Sequence, residues 1–302
     1  MINKVKGKIR RFFNQHHCYD YITNNLWIKK GLLLYDENYS YFDPSIYFDN
    51  SVQVIVSERK NWSLIKYDFI NYSLTNPITI LTPIKNTWED SVNRGFVLKV
   101  DNQYYLYYCG KTKEKSSIGL AISVDGKEYK RINKEPIVEA NQPYEKSSVM
   151  NPCVIYDETN KIYKMWYSAG ELYEPDVICC ATSYNGIDWI KHGIVLQKGN
   201  NKYDLYKVGA CDVIMRDNKY LMYYIGYQNL DVARICCAQS DDGVTWDKID
   251  DNPIICPSKK SWDCHACYKP AVYYDELKKE TIIIYNGRNK HLECIGYAVK
   301  KE

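Results

Sequence analysis

The phrase Ser-x-Asp/Asn-Gly-x-x-aromatic stands in the chain three times: "SVDGKEY" from Ser123, "SYNGIDW" from Ser183 and "SDDGVTW" from Ser240. A longer sentence repeats around it. One copy runs "GFVLKVDNQYYLYYCG" and then "SIGLAISVDGKEYKRINKEPIV". The next runs "NPCVIYDETNKIYKMWYSAG" and "VICCATSYNGIDWIKHGIVL", and the third "CDVIMRDNKYLMYYIGY" and "RICCAQSDDGVTWDKIDDNPII". A fourth, "KPAVYYDELKKETIIIYNGR" with "LECIGYAVKKE", stops after its third segment. Val97, Val154, Val213 and Val272 are equivalent, at steps of 57, 59 and 59 residues. A repeat of this kind is one supersecondary unit that must stack on its neighbours to bury its apolar faces.

Each unit reads as four strands: an apolar run, an alternating aromatic run after a polar turn, a run of small residues, and a last strand beginning at the aromatic. Asp-Gly or Asn-Gly between the last two is a strong hairpin signal, because both residues tolerate φ > 0. "YFDPSIYFDN" adds one more first strand, with Ile46 in the place of Val97. The fourth strand missing from the last unit has a source at the front of the chain, where "LWIKKGLLLY" from Leu26 copies "DWIKHGIVLQ" from Asp188. The pattern therefore predicts an all-β fold, a five-bladed β-propeller of four-stranded antiparallel blades. Its ring is closed by an N-terminal strand, about Trp27 to Tyr35, pairing into the last blade and removing two open edges. The expected division is a basic N-terminal segment, 1–23, and a single propeller domain, 24–302.

Composition agrees and excludes some classes. The 302 residues include 30 Tyr against 6 Phe, a lean towards pleated, half-buried surfaces, although Tyr also lines sugar clefts. A net charge of +3 from 40 basic and 37 acidic residues argues against a nucleic-acid partner. "MINKVKGKIRRFF" carries basic residues without the apolar core of a secretory signal, and no run reaches the length of a membrane span. At most this segment makes a weak peripheral membrane contact, and a cytoplasmic location is expected. The 12 Cys include adjacent pairs, Cys179-Cys180 and Cys236-Cys237, within apolar runs, where strand neighbours face opposite ways. They read as reduced thiols in the core. "CHAC" offers Cys264, His265 and Cys267 as half a zinc site without a matching second half, so no metal and no cofactor is expected.

"FDPSI", "YYLYY", "YKMWYS" and the Ser-x-Asp-Gly phrases together resemble the glycoside hydrolases of family 43 and their relatives in families 32 and 130. The resemblance spans about residues 25–302. It implies a carbohydrate-active enzyme and, by the family 43 pattern, Asp43 of the "DP" phrase as general base. An inverting hydrolase needs a second carboxylate across the sugar. The place where family 43 carries its acid Glu reads "MNPC", and the second blade offers Arg94 rather than an Asp.

First-strand starts from the five blades should converge on a central funnel: Asp43, Arg94, Asn151, Asp212 (one residue out of register) and Lys269. Four aromatic-acid pairs, Trp88-Glu89, Tyr144-Glu145, Tyr203-Asp204 and Trp262-Asp263, recur ahead of these starts, which points to a structural turn. Glu145 is the one of the four put forward as an acid. The candidate catalytic set is thus Asp43, Asp212 and Glu145. Arg94 and Lys269, with His265 and Arg288, would suit a phosphate or carboxylate, and Asn151 would contact substrate. Family 130 phosphorylases, which pair one Asp with basic residues for inorganic phosphate, resemble this arrangement. The readings open from the sequence are a hydrolase or phosphorylase, a transferase using a phosphorylated sugar in surface-polysaccharide assembly, and a non-catalytic glycan- or protein-binding propeller.

Overall fold

The computed structural model describes residues 26–173, 175–289 and 292–301; the expected basic segment 1–23 lies outside them. Apart from a 3-10 turn at Pro143–Glu145, every regular element among them is a β-strand. Unit 1 is β2 (Tyr41–Asp49), β3 (Ser51–Glu58), β4 (Ser63–Ile70) and β5 (Ser73–Leu81). Unit 2 is β6 (Ser91–Val100), β7 (Gln103–Lys111), β8 (Ser116–Ser123) and the short β9 (Lys130–Arg131). Unit 3 is β10 (Ser148–Asp157), β11 (Ile162–Gly170), β12 (Pro175–Ser183) and β13 (Ile190–Leu196). Unit 4 is β14 (Lys207–Arg216), β15 (Lys219–Asn229), β16 (Val232–Ser240) and β17 (Asp247–Lys248). Unit 5 is β18 (Ala266–Asp275), β19 (Glu280–Asn289) and β20 (Leu292–Lys301), joined by β1 (Ile28–Leu34) from the front of the chain.

β1 pairs antiparallel with β20, Ile28 opposite Val299 and Leu34 opposite Ile295, so the last unit gains its fourth strand. A single parallel bridge, Ser148 to Ser116, links units 2 and 3 into one longer sheet. The first strands neighbour one another in turn: β2 lies beside β6, β6 beside β10, β10 beside β14, β14 beside β18, and β18 again beside β2.

Each first strand carries the same bulge. The register with its partner slips between Phe42 and Ser45, Asn93 and Phe96, Met150 and Cys153, Gly209 and Asp212, and Tyr268 and Ala271. The residue inside each slip has positive φ: Asp43 +54°, Arg94 +46°, Asn151 +55°, Ala210 +40° and Lys269 +54°. For non-glycine residues this costs on the order of 1 kcal/mol each, and it persists only where surrounding bonds hold it. Those bonds come from the neighbouring unit. The backbone N–H of Asp43 donates to Asn286 Oδ1 (2.7 Å), that of Arg94 to Ser57 Oγ (2.9 Å), that of Asn151 to Cys109 Sγ (3.0 Å) and that of Ala210 to Ser168 Oγ (2.7 Å). In unit 4 the corresponding second-strand residue is Ile225, which has nothing to accept a bond.

The opening motif has its explanation here. Ser240 Oγ accepts from Gly243 N–H (2.8 Å), while Asp242 Oδ1 accepts from Val244 and Thr245 N–H (2.7 Å each). The Ser123 and Ser183 turns are bonded the same way. Asn and Asp close such turns on their own backbone, and glycine supplies the positive φ (+79° at Gly243). The turn also fastens units together: Tyr107 of β7 donates to Gly186 O (3.0 Å) and Trp166 of β11 to Gly243 O (2.8 Å). The 11 cysteines among the described residues are all free, and ten are buried, as expected for thiols used as small core residues.

Candidate active site

The bulged ends of the first strands and the far ends of the second strands meet around a cavity of about 330 Å³. Its floor and walls include Phe42, Asn93, Met150 and Tyr268, which directly precede four of the five bulges, and Asn151 and Lys269, which stand in two of them. Arg59, Lys111, Tyr227 and Arg288 project from one equivalent place in units 1, 2, 4 and 5, just after the second-strand residue that faces the bulge. Trp62, Leu172, Tyr173 and Leu230 add apolar surface, while Asp231 and Glu293 are the acids on the wall. An aromatic-lined pocket with a few polar groups is the usual form of a small-molecule site, and here the charged groups are mostly cationic.

Lys269 lies within 2.5 Å of Asp43 Oδ1, and its ammonium is 5.5 Å from the Phe42 ring centroid. Asn93 Nδ2 donates to Asp43 Oδ2 (2.8 Å). Asp43 itself is 0% exposed and does not line the cavity. It sits beneath the floor, where the bulge turns it under Lys269, and its observed role is to fix that lysine and Asn93. This corrects the expectation of Asp43 as a base facing the funnel.

Arg94 is corrected too. It is 0% exposed and donates to the carbonyls of Pro44 (2.5 Å), Cys211 (3.1 Å) and Pro270 (3.3 Å), so one guanidinium ties units 1, 4 and 5 to unit 2. A planar fork of donors suits this clamp, and it leaves Arg94 off the cavity wall.

Asp212 does not occupy a bulge; Ala210 does. Asp212 stands two residues on, where Oδ2 accepts Val272 N–H (2.6 Å) and Oδ1 faces Cys153 Sγ (3.5 Å). Burial raises its pKa, against the opposing pull of Arg94. The equivalent Ser45 bonds Gly95 O, so this position joins neighbouring first strands and Asp212 is a seam residue.

Glu145 lies away from the cavity. Its carboxylate is fully buried, within 2.7 Å of Lys191 Nζ, and accepts from Tyr167 Oη (2.9 Å) and from the N–H groups of Asn141 (2.7 Å) and Gln142 (2.9 Å). Burial pushes its pKa up, but Lys191 and these donors together hold it below the ordinary glutamate value. The other three pairs repeat the design: Glu89 with Arg131 (2.7 Å), Asp204 with Lys248 (2.5 Å) and Asp263 with Lys29 (2.5 Å). In each the cation comes from the unit's fourth strand. The acid of every aromatic-acid pair is thus a structural anchor.

Of the remaining expected contacts, Asn151, Lys269 and Arg288 line the cavity and His265 does not. The N–H of His265 donates to Arg288 O (2.9 Å), and its Nδ1 lies 3.2 Å from Cys264 Sγ. Among the described residues no cluster of three His, Cys, Asp or Glu side chains has metal-binding geometry. The sequence reading missed Arg59, Lys111, Asp231 and Glu293. Lys111 carries a signal: "YYCGK" ends in it just as "YNGR" ends in Arg288. Glu293 is held by Arg59 (2.6 Å) and by the Tyr268 hydroxyl.

Comparison with known proteins fits this architecture. A family model described as Glyco_hydro_130, beta-1,4-mannooligosaccharide phosphorylase, matches residues 131–264. The protein MT1551 of Mycobacterium tuberculosis (strain CDC 1551 / Oshkosh) is 28% identical over 222 residues, 69% of this chain and 71% of that one. A 1,2-beta-oligomannan phosphorylase of Thermoanaerobacter sp. (strain X514) is 30% identical over 150 residues, 49% of this chain and 45% of that one. Among solved structures, a glycoside hydrolase superposes with a TM-score of 0.74 at 16% identity, each chain covered to 95%. A structure from a study of family 130 enzymes, glycoside hydrolases that target beta-1,2 mannosidic linkages in Candida mannan, gives a TM-score of 0.71 at 11% identity, covering 93% of this chain and 95% of that one. The chain shares the fold of these glycoside hydrolases. Residues 131–264, less than half of the chain, are similar to the family 130 model.

Proposed function

We propose that the five four-stranded units form a five-bladed propeller and that the cavity at its centre cleaves or forms a glycosidic bond with phosphate as the second reactant. The observation that carries this is the wall itself: Arg59, Lys111, Lys269 and Arg288 surround about 330 Å³, whereas Asp43, Asp212 and Glu145 are all withdrawn into structural bonds. Hydrolysis by inversion needs two carboxylates flanking the sugar, and of the two on the wall Glu293 is already engaged by Arg59 and the Tyr268 hydroxyl. Phosphorolysis needs one proton donor and a place for an anion, because a phosphate oxygen attacks the anomeric carbon while the departing sugar oxygen takes a proton. Cations and aromatic faces supply that environment, and Asp231 and Glu293 border it as the two carboxylates from which the donor would come. The relatives described as mannooligosaccharide and oligomannan phosphorylases make mannosides the first sugars to try.

Purified protein incubated with manno-oligosaccharides, with and without inorganic phosphate, should release sugar 1-phosphate only when phosphate is present. Asp231→Asn and Glu293→Gln identify the donor by which of them abolishes turnover. Asp43→Asn should weaken turnover by loosening Lys269 while leaving measurable activity. Phosphate-independent release that is lost in Asp43→Asn would restore the hydrolase reading. Binding of the sugars without turnover under any condition would favour the non-catalytic module, which the withdrawal of the three carboxylates also suits.

A further inference from the structure

Lys111 differs from the other cations on the cavity wall. Arg59 pairs with Glu293 (2.6 Å), Lys269 with Asp43 (2.5 Å), and Arg288 donates to Asp231 O (2.9 Å). Lys111 meets no carboxylate within ion-pair reach among the described residues; its ammonium instead stands 4.0 Å from the centroid of the Tyr173 ring. Asp176, beyond the neighbouring Pro175, is held by Lys146 (2.7 Å) and Lys207 (2.8 Å). The charged groups facing Lys111 are Lys269 and Asp43 from β18 and β2 and Arg59 after β3, with the Cys109 thiol, kept neutral by burial, on its own strand. Arg288, Asp231 and Glu293 complete the wall. A half-buried ammonium with a ring for company, beside a second cation, lacks the counter-charge that would make burial favourable.

We infer that Lys111 is the contact through which this cavity captures the anionic group of its ligand. The inference rests on the phosphate-using reading of the same site. Burial first, and Lys269 next, bring the Lys111 pKa down from 10.5 to about 8, with Asp43 opposing. The sign follows: the ammonium is present below about pH 8 and lost as pH rises through it. A bound dianion restores the counter-charge and lifts the pKa again. Affinity for an anion of fixed charge should therefore be flat below pH 7 and fall about tenfold per unit above 8, until the bound form also titrates. The arginines of the wall stay charged throughout and contribute no such slope.

The test is calorimetric titration of inorganic phosphate and, separately, of sulfate between pH 6 and 10. Sulfate keeps its charge over that range, so a change in its affinity reports on the protein alone. Expected is a sulfate dissociation constant that rises at least tenfold from pH 7.5 to 9.5 in the native protein. Lys111→Arg should bind with a flat profile, and Lys111→Met should bind at least tenfold more weakly at pH 7 with an unchanged melting temperature. Sulfate affinity independent of pH, or as tight in Lys111→Met as in the native protein, overturns the inference while leaving the phosphate-using reading intact. No binding of either anion at any pH removes that reading, and this inference with it.

Discussion

Replacing Lys29 by Met tests the closure of the last unit. Lys29 lies on β1, and its ammonium reaches Asp263 Oδ2 (2.5 Å), Ser258 Oγ (2.7 Å) and the Cys256 carbonyl. The lysine side chain is only 18% exposed, and that of Asp263 is fully buried. Asp263 would keep the Tyr285 hydroxyl (3.0 Å) as a donor but lose its cation. Removing one partner of a buried pair typically costs 3–5 kcal/mol, because the remaining charge stays desolvated. With an m-value of about 3 kcal/mol/M, that loss shifts the urea midpoint down by about 1–1.7 M.

The assay is equilibrium urea unfolding followed by tryptophan fluorescence on four proteins: native, Lys29→Met, Asp263→Asn and the double variant. Groups in direct contact should be non-additive, so the double variant should lose at least about 1 kcal/mol less than the sum of the single losses. Lys30→Met changes the exposed neighbour and should stay within about 0.5 kcal/mol of native. Lys191→Met removes the matching cation in unit 3 and should behave as Lys29→Met does. If Lys29→Met is as stable as Lys30→Met, the inference that β1 is fastened through this pair is wrong.

Arg94→Met should cost at least about 3 kcal/mol, since three carbonyls from three units lose a charged donor together; Arg94→Lys should recover only part, and thermal melting distinguishes the two. Gly287→Ala places a Cβ 2.1 Å from the Trp262 ring, so the indole must move, and a loss of about 1–3 kcal/mol with a changed fluorescence spectrum is expected.

Much of the fold was legible because the repeat states it five times. The Asp-Gly turns fixed the third hairpins, and the likeness of "LWIKKG" to "DWIKHG" placed β1, down to Lys29 standing where Lys191 stands. The bulge was not legible. It adds residues to the first strand opposite the same stretch of the second, and nothing in "NRGF" or "YKPA" announces positive φ at a charged residue. Counting along the sequence therefore brought the right positions to the ring without saying which way each would turn. The miscount in unit 4 has the same origin: Asp212 drew attention as a carboxylate, although the bulge residue there is Ala210.

The contrast between repeats remains a sound guide once the strand it is applied to is chosen from the structure. On the first strand, variation marks how each unit is locked to the others: Asp43 under Lys269, Arg94 across to units 1, 4 and 5, Asp212 on a seam. At the second-strand ends the same place reads Arg59, Lys111, Gly170, Tyr227 and Arg288, and four of those five face the cavity. Arg59 lies one residue past β3 and the other four are paired in the ladder, yet the side chains there range from Gly to Tyr, Lys and Arg, so strand pairing does not dictate them. Three cations at this one place, in units 5, 1 and 2, are difficult to explain by strand pairing. They are what a site for an anion requires.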